Sequence, residues 1–178
     1  LARLFLMKYL DKFHKEYPNV GIHVFTDPSR VMRKMLKDGT LDILIAKEEL
    51  NEDEDLEVQK IGVLHHCFVA SDYFAELKNK VISLQDLNEY PILLQKLPST
   101  TRETFDRFCK NNNIEITTKL EIASATLLED FVKIGLGVGL VTKEFAQKDL
   151  DACNLFEVET NPSLPSTNFS LITLKNSF

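Results

Sequence analysis

The sequence has 178 residues, 44% hydrophobic and 27% charged, with 21 Lys+Arg against 27 Asp+Glu and a net charge of −6. A hydrophobic run of the roughly 20 residues that a membrane span needs is absent, and so is the basic surplus with which a domain grips phosphates. Both observations argue against a membrane-spanning helix and against direct nucleic-acid binding by this segment, while the length suits one large domain or two small lobes.

Residues 1–17 read as a first helix ended by Tyr17-Pro18, with Leu6, Leu10, Phe13 and Tyr17 on one stripe. Leu1, Phe5, Met7 and Tyr9 widen that stripe beyond what one buried face requires, which leaves deeper burial and a subunit interface as equal readings. The same stretch carries charges every few residues and lacks a small-residue cleavage site, so it is no signal peptide. It starts mid-pattern without an initiator Met, as a fragment of a longer chain would. Val20–Phe25 reads as a strand entering Thr26-Asp27-Pro28-Ser29, where Asp27 is placed to cap a helix and Pro28 to begin it. That helix covers 29–38 with Val31, Met35 and Leu36 inward, and Gly39 closes it. Leu41–Ala46, apolar on both faces apart from Asp42, reads as a central strand of a covered parallel sheet. Strand, helix and strand make a right-handed crossover unit.

The acidic run in Lys47–Glu57 lacks the glycine of a calcium loop and reads as a solvated loop. Val63–Ala70 is the next strand and carries His65-His66-Cys67. Alternation puts His65 and Cys67 on one face and His66 on the other, so the triplet does not converge on a metal. A short helix with Tyr73, Phe74 and Leu77 follows, then Ser83 and Asp86 at capping-box spacing. The strand Tyr90–Leu94 enters Gln95–Thr101 and a helix with Phe105 and Phe108 inward, for which Thr100 and Glu103 form a second capping box.

The strand Thr117–Ile122 leads into a helix with Leu127, Leu128, Phe131, Val132 and Ile134. Gly135, Gly137 and Gly139 come next, followed by the buried strand Val138–Val141. Phosphate loops place glycines after a strand and before a helix. Here the order is reversed, so Gly135 reads as the left-handed residue after a helix, and Gly137 and Gly139 as places of close backbone approach. A short helix (143–148), a strand Leu155–Val158, a connector Thr160–Pro165 and a last strand Phe169–Leu174 complete the chain. Cys67, Cys109 and Cys153 are widely spaced and odd in number, which favours a reducing, cytoplasmic setting over a disulfide framework.

Three loops share one chemistry: Asp27–Ser29, Pro98–Thr101 and Ser124–Thr126 each put hydroxyls and unpaired backbone N–H groups at the positive end of a helix dipole. In open α/β sheets ligands gather at the carboxyl ends of the strands. A small carboxylate or similar anion would suit three such ends. No nucleophile elbow, metal motif or activated cysteine appears, so no catalytic residue, metal or cofactor is nominated.

Five ordered motifs carry a family resemblance. They are Leu10-x-x-Phe13-x-x-x-Tyr17-Pro18-x-Val20, Leu36-x-x-Gly39-x-Leu41-Asp42-Ile43-x-Ile45, Ile82-x-Leu84-x-Asp86-Leu87-x-x-Tyr90-Pro91, Arg102-x-x-Phe105 and Val132-x-x-Gly135-Leu136-Gly137-Val138-Gly139-Leu140. In that order they resemble the effector-binding domain of LysR-type transcriptional regulators over nearly the whole chain. The resemblance implies an α/β, two-lobed type 2 periplasmic-binding-protein-like fold with mixed sheets flanked by helices. The lobes would be residues 1–68 with 162–178, and residues 69–161, and the family's first strand would be missing. It implies a small effector in the cleft between lobes, with contacts on the loops already singled out for an anion, at Ser29, Ser99, Thr100, Thr101, Ser124 and Thr126. It also implies a homodimer or homotetramer built partly on residues 1–17, and DNA binding only through a helix-turn-helix domain absent from this chain. The same fold serves periplasmic-type solute-binding proteins that feed transporters, the alternative reading, as well as some enzymes.

Overall fold

The structure, a computed structural model, describes residues 5–27, 29–47 and 54–175. In chain order its elements are α1 (Met7–Glu16), α2 (Ser29–Lys37), β1 (Leu44–Lys47), β2 (Leu56–Ala70), β3 (Val81–Ser83), β4 (Ile92–Gln95), α3 (Thr100–Asn111), β5 (Thr118–Ile122), α4 (Ala125–Lys133), β6 (Val138–Thr142), α5 (Lys143–Asp151), β7 (Phe156–Asn161) and β8 (Ser166–Leu174). Short 3₁₀ turns cover Asp72–Leu77 and Asp86–Glu89. The chain divides into two units, Leu1–Val63 with Asn168–Phe178, and Leu64–Thr167. It passes between them within β2 and again within β8.

In the first unit Met32 and Leu36, four residues apart on α2, bury themselves with Leu44, Ala46, Leu56 and Ile172. Burial of each such side chain contributes about 1.5–3 kcal/mol. The inward face is thus set by Met32 and Leu36, with Met35 partly buried, and Val31, expected inside, is exposed. Gly39, at φ +78°, ends the helix, and Leu41 N–H closes back on the Met35 carbonyl. Two expectations fail here. Val20–Phe25 forms no strand, because a strand needs a neighbouring backbone to satisfy its N–H and C=O groups and no described residue pairs with it. Leu41–Ala46 is not central in a parallel sheet: β1 starts at Leu44, leaves Ile43 exposed and pairs antiparallel with β8, Leu44 opposite Ile172. β8 in turn lies between β1 and β2. The crossover unit is therefore not formed among the described residues, and the acidic run at 48–53 lies outside them.

In the second unit the sheet order is β3-β7-β2-β6-β4-β5. β2 runs antiparallel to both β6 (His66 opposite Thr142, Phe68 opposite Leu140) and β7. β4 is parallel to β6 and to β5. Alternation along β2 sends Phe68 and Ala70 to one core with Leu94, Phe105 and Leu140, and Cys67 and Val69 to another with Leu93, Leu128 and Val132. Both faces of this sheet are therefore covered, as parallel strands require. The close approach expected at the glycines is present: a Cβ on Gly137 would stand 2.1 Å from the Pro91 carbonyl oxygen, and one on Gly139 2.5 Å from Val132. Gly135 has φ +82° at the end of α4. The expected capping box at Ser83 is not one, since Ser83 ends β3 and the turn after it opens on Gln85 without a side-chain cap.

Candidate functional site

Parallel pairing of β4 with β5 and β6 brings three strand ends to one edge, with Gln95 opposite Ile122 and Leu93 opposite Gly139. At that edge β4 leads to α3, β5 to α4, and β6 directly to α5. Three helix N-termini therefore open from the carboxyl edge of neighbouring parallel strands, the place where open α/β sheets take ligands. Each presents N–H groups without intrahelical partners and a fractional positive charge.

Ser99 has extended backbone and caps α3, its Oγ accepting from the Arg102 N–H at 3.4 Å and donating to Gln95 Oε1 at 2.8 Å. The cap sits one residue earlier than the Thr100–Glu103 box expected from spacing, and Glu103 N–H bonds to the Ser99 carbonyl. Arg102 fixes this turn from behind. Its Nε donates to both oxygens of Asp106 at 2.8 and 2.9 Å, and its Nη1 to the Gln95 carbonyl at 3.1 Å and Glu121 at 2.9 Å. Burial works against the guanidinium charge, yet the bonds to Asp106 and Glu121 outweigh it and hold its pKa above the ordinary value.

Ser124 caps α4, accepting from the Leu127 N–H at 3.3 Å, and Thr126 in the first turn is exposed. Thr100 is the half-buried first residue of α3, whereas Thr101 is buried, with its hydroxyl 3.3 Å from that of Thr142. Thr142 occupies the cap position of α5 without making a cap hydrogen bond. Five of the six hydroxyl residues singled out in the sequence thus belong to the second unit, and Ser29 begins α2 in the first. Pro28 lies outside the described residues.

Sequence reasoning missed three members of this neighbourhood: Thr142, His66 and Thr167. Thr142 ends a strand just before a helix, the same grammar that marked Ser99 and Ser124, and could have been found by it. His66 lies opposite Thr142 on β2, is buried, and its Nε2 stands 2.8 Å from Thr167 Oγ1. That 101-residue separation has no local signal. His65 points to the other face, its Nδ1 2.7 Å from Glu144. Among the described residues no three His, Cys, Asp or Glu side chains converge as a metal site. Burial pushes the Cys67 thiol up to about 12 and Cys109 to about 11, far from the thiolate a nucleophile needs.

A family profile, the LysR substrate binding domain, matches residues 1–178. The chain belongs to this family. Among relatives, a probable RuBisCO transcriptional regulator of Thalassiosira pseudonana is 25% identical over 155 residues, covering 81% of this chain and 49% of that protein. The transcriptional regulator CysB of Burkholderia cenocepacia is 24% identical over 140 residues, 79% of this chain and 45% of that protein. This LysR domain therefore spans about half the length of the curated relatives it matches. Its fold is that of solved LysR regulatory domains, of the two-lobed type 2 periplasmic-binding-protein-like class. The Synechocystis CcmR regulatory domain in complex with 2-PG superimposes with a TM-score of 0.85 at 16% identity, covering 99% of this chain and 85% of that one. The effector-binding domain of QuiR in complex with shikimate gives 0.78 at 19% identity, covering 98% and 82%. No helix among the described residues is long and apolar enough to cross a membrane.

Proposed function

We propose that this LysR domain senses a small anionic effector and acts in the cytoplasm as part of a bacterial transcription regulator. The observation that carries the reading is the alignment of the α3, α4 and α5 N-termini on one strand edge, two of them capped by serine. Ser99, Thr100, Ser124 and Thr126, with backbone N–H groups of their first turns, would hold the anion, and Thr101 would back them. Ser29, at the start of α2, offers the same chemistry from the first unit. The 2-PG complex of CcmR and the shikimate complex of QuiR support effector binding by this fold. DNA would be met by a helix-turn-helix domain outside this chain, in keeping with the acidic charge here.

Transmission would pass through a homodimer or homotetramer, the effector binding one arrangement better than another and shifting the population toward it. Exposed apolar residues on α1 (Met7, Tyr9, Phe13) and on or just beyond α4 (Leu127, Ile134) support such an assembly. The test is a thermal-shift screen of carboxylates, sulfate and phosphate esters on the wild-type chain and on Thr100→Val/Ser124→Ala. At least one anion should raise the wild-type Tm, and the double variant should lose most of that rise. An unchanged Tm across the screen, or an equal rise in the variant, would sink the reading.

A further inference from the structure

The two serine-capped helices of the second unit lie on opposite faces of its sheet. Phe105 and Cys109 of α3 pack with Phe68, Leu94 and Leu140, whereas Leu128 and Val132 of α4 pack with Cys67, Val69 and Leu93. β4 and β5 are nonetheless adjacent and parallel, with Gln95 opposite Ile122, so their outgoing turns part where the two strands end. One side chain bridges that parting. Arg102, in the first turn of α3, has a side chain only 13% exposed. Its Nη1 donates both to the Gln95 carbonyl at the end of β4, at 3.1 Å, and to Glu121 Oε1 on β5, at 2.9 Å. Gln95 Oε1 in turn accepts from Ser99 Oγ, and the Arg102 N–H donates to that same hydroxyl oxygen. Glu121 stands three residues ahead of the α4 cap, and Ile122 between them accepts from the Lys96 N–H at 3.0 Å.

We propose that Arg102 is a positioning residue that makes these turns selective for anions, by neutralising Glu121 and joining the ends of β4 and β5 without touching the ligand. The inference rests on the effector reading above and deepens it. A carboxylate beside helix N-termini opposes the negative charge that those ends favour. Glu121 is such a group: its side chain is 48% exposed, and its ion pair among the described residues is the one with Arg102. Asp106 takes the Nε side of the guanidinium, one turn further along α3 and so further from the cap. The bonds to both carboxylates keep the guanidinium charged against the cost of its burial. A planar fork that reaches a carbonyl and two carboxylates at once is something arginine offers and lysine does not. Without it Glu121 would carry an uncompensated charge beside the two turns, and Gln95 would lose the bond that fixes the strand end next to Ser99.

The probes are sulfate, 2-PG and shikimate, all anionic at neutral pH, titrated by calorimetry into wild type and variants. Wild type should bind at least one of them. Arg102→Gln should bind that anion about tenfold more weakly. The double variant Arg102→Gln/Glu121→Gln should regain most of the loss, which a merely structural role for Arg102 would not allow. Arg102→Lys, which keeps the charge but not the fork, should fall between wild type and Arg102→Gln. Glu121→Gln alone changes a half-exposed side chain and should bind the anion a few-fold tighter than wild type; it decides the matter if Arg102→Gln does not fold. An anion held by Arg102→Gln as tightly as by wild type, or a double variant no better than the single one, overturns the role of Arg102 and leaves the effector reading standing. Unchanged affinity in Glu121→Gln does the same. If none of the three probes binds wild type, the subsite and the inference fall together.

Discussion

Helices α2 and α3 both have a serine at their start, and both bury apolar residues four apart, Met32 with Leu36 and Phe105 with Cys109. Their surroundings differ. α3 springs from β4, which is flanked on both sides by parallel strands whose own helices start at the same edge. α2 follows Val20–Phe25, which pairs with no described residue, and leads to β1, which runs antiparallel to β8. Cap chemistry alone therefore does not distinguish a binding edge from an ordinary helix start; the parallel neighbours do, because they multiply helix ends at one place.

The largest expected effect strikes the register that builds this edge. In Gly137→Ala the new Cβ meets the Pro91 carbonyl oxygen, which is backbone and already accepts from Val138 N–H at 2.8 Å. It cannot retreat without opening β4 from β6. A loss of about 3 kcal/mol or more is expected in urea unfolding, with loss of any anion response. Gly139→Ala meets only side-chain ends of Val132 and Leu128, and about 1–3 kcal/mol is expected. Equal stability of the two variants would refute the claim that β4–β6 pairing is the tighter constraint.

Next comes Leu36→Ala in the first unit, where a fully buried side chain is removed. About 2–5 kcal/mol is expected. Hydrogen exchange should show where it falls, with protection lost in α2, β1 and Asn168–Leu174 while β4, β5 and β6 keep theirs. If protection drops evenly, the two units unfold as one and the contrast between them is not energetic.

A smaller effect compares the caps. Ser99→Ala and Ser124→Ala should each cost about 1 kcal/mol and weaken anion-induced stabilisation. Ser29→Ala should weaken it less, since α2 lacks parallel neighbours. A larger loss at Ser29 than at Ser124 would move the site toward the first unit.

These contrasts mark what could be read from the chain. Glycine order, helix spacing and the hydroxyl turns before α3 and α4 are local, and the structure places elements where they indicate. Strand pairing is not local. The apolar alternation at Val20, Ile22 and Val24 satisfies strand propensity but says nothing about whether a neighbour exists. The run Leu41–Ala46 looks two-faced because Leu44 and Ala46 are covered by α2 and β2, while Ile43 stands outside them. His66 was visible as the odd member of its triplet, pointing away from His65 and Cys67. That it meets Thr142 and Thr167 depends on pairing across 76 and 101 positions.

The smallest effect separates the helices by charge. α2 carries no acidic residue, whereas α4 carries Glu129 and Asp130. Burial first, then Asp149, pushes the Glu129 carboxyl above its ordinary value. Its ionised form is therefore disfavoured in the folded chain, and its contribution to stability improves as pH falls through that raised value toward the ordinary carboxylate range near ~4.3. Asp149 goes the other way: the bond from Asn154 and the pair with Lys133 at 3.2 Å hold it below its ordinary value. Its contribution is full above the unfolded pKa of ~3.9 and is lost as pH falls through the folded one. Glu129→Gln should thus raise Tm slightly at pH 7 and lose that advantage in acid. Asp149→Asn should lower Tm at pH 7 and match wild type near pH 2. Parallel pH profiles for both variants would mean that the two carboxylates share one environment, and the opposed signs along α4 and α5 would have to be abandoned.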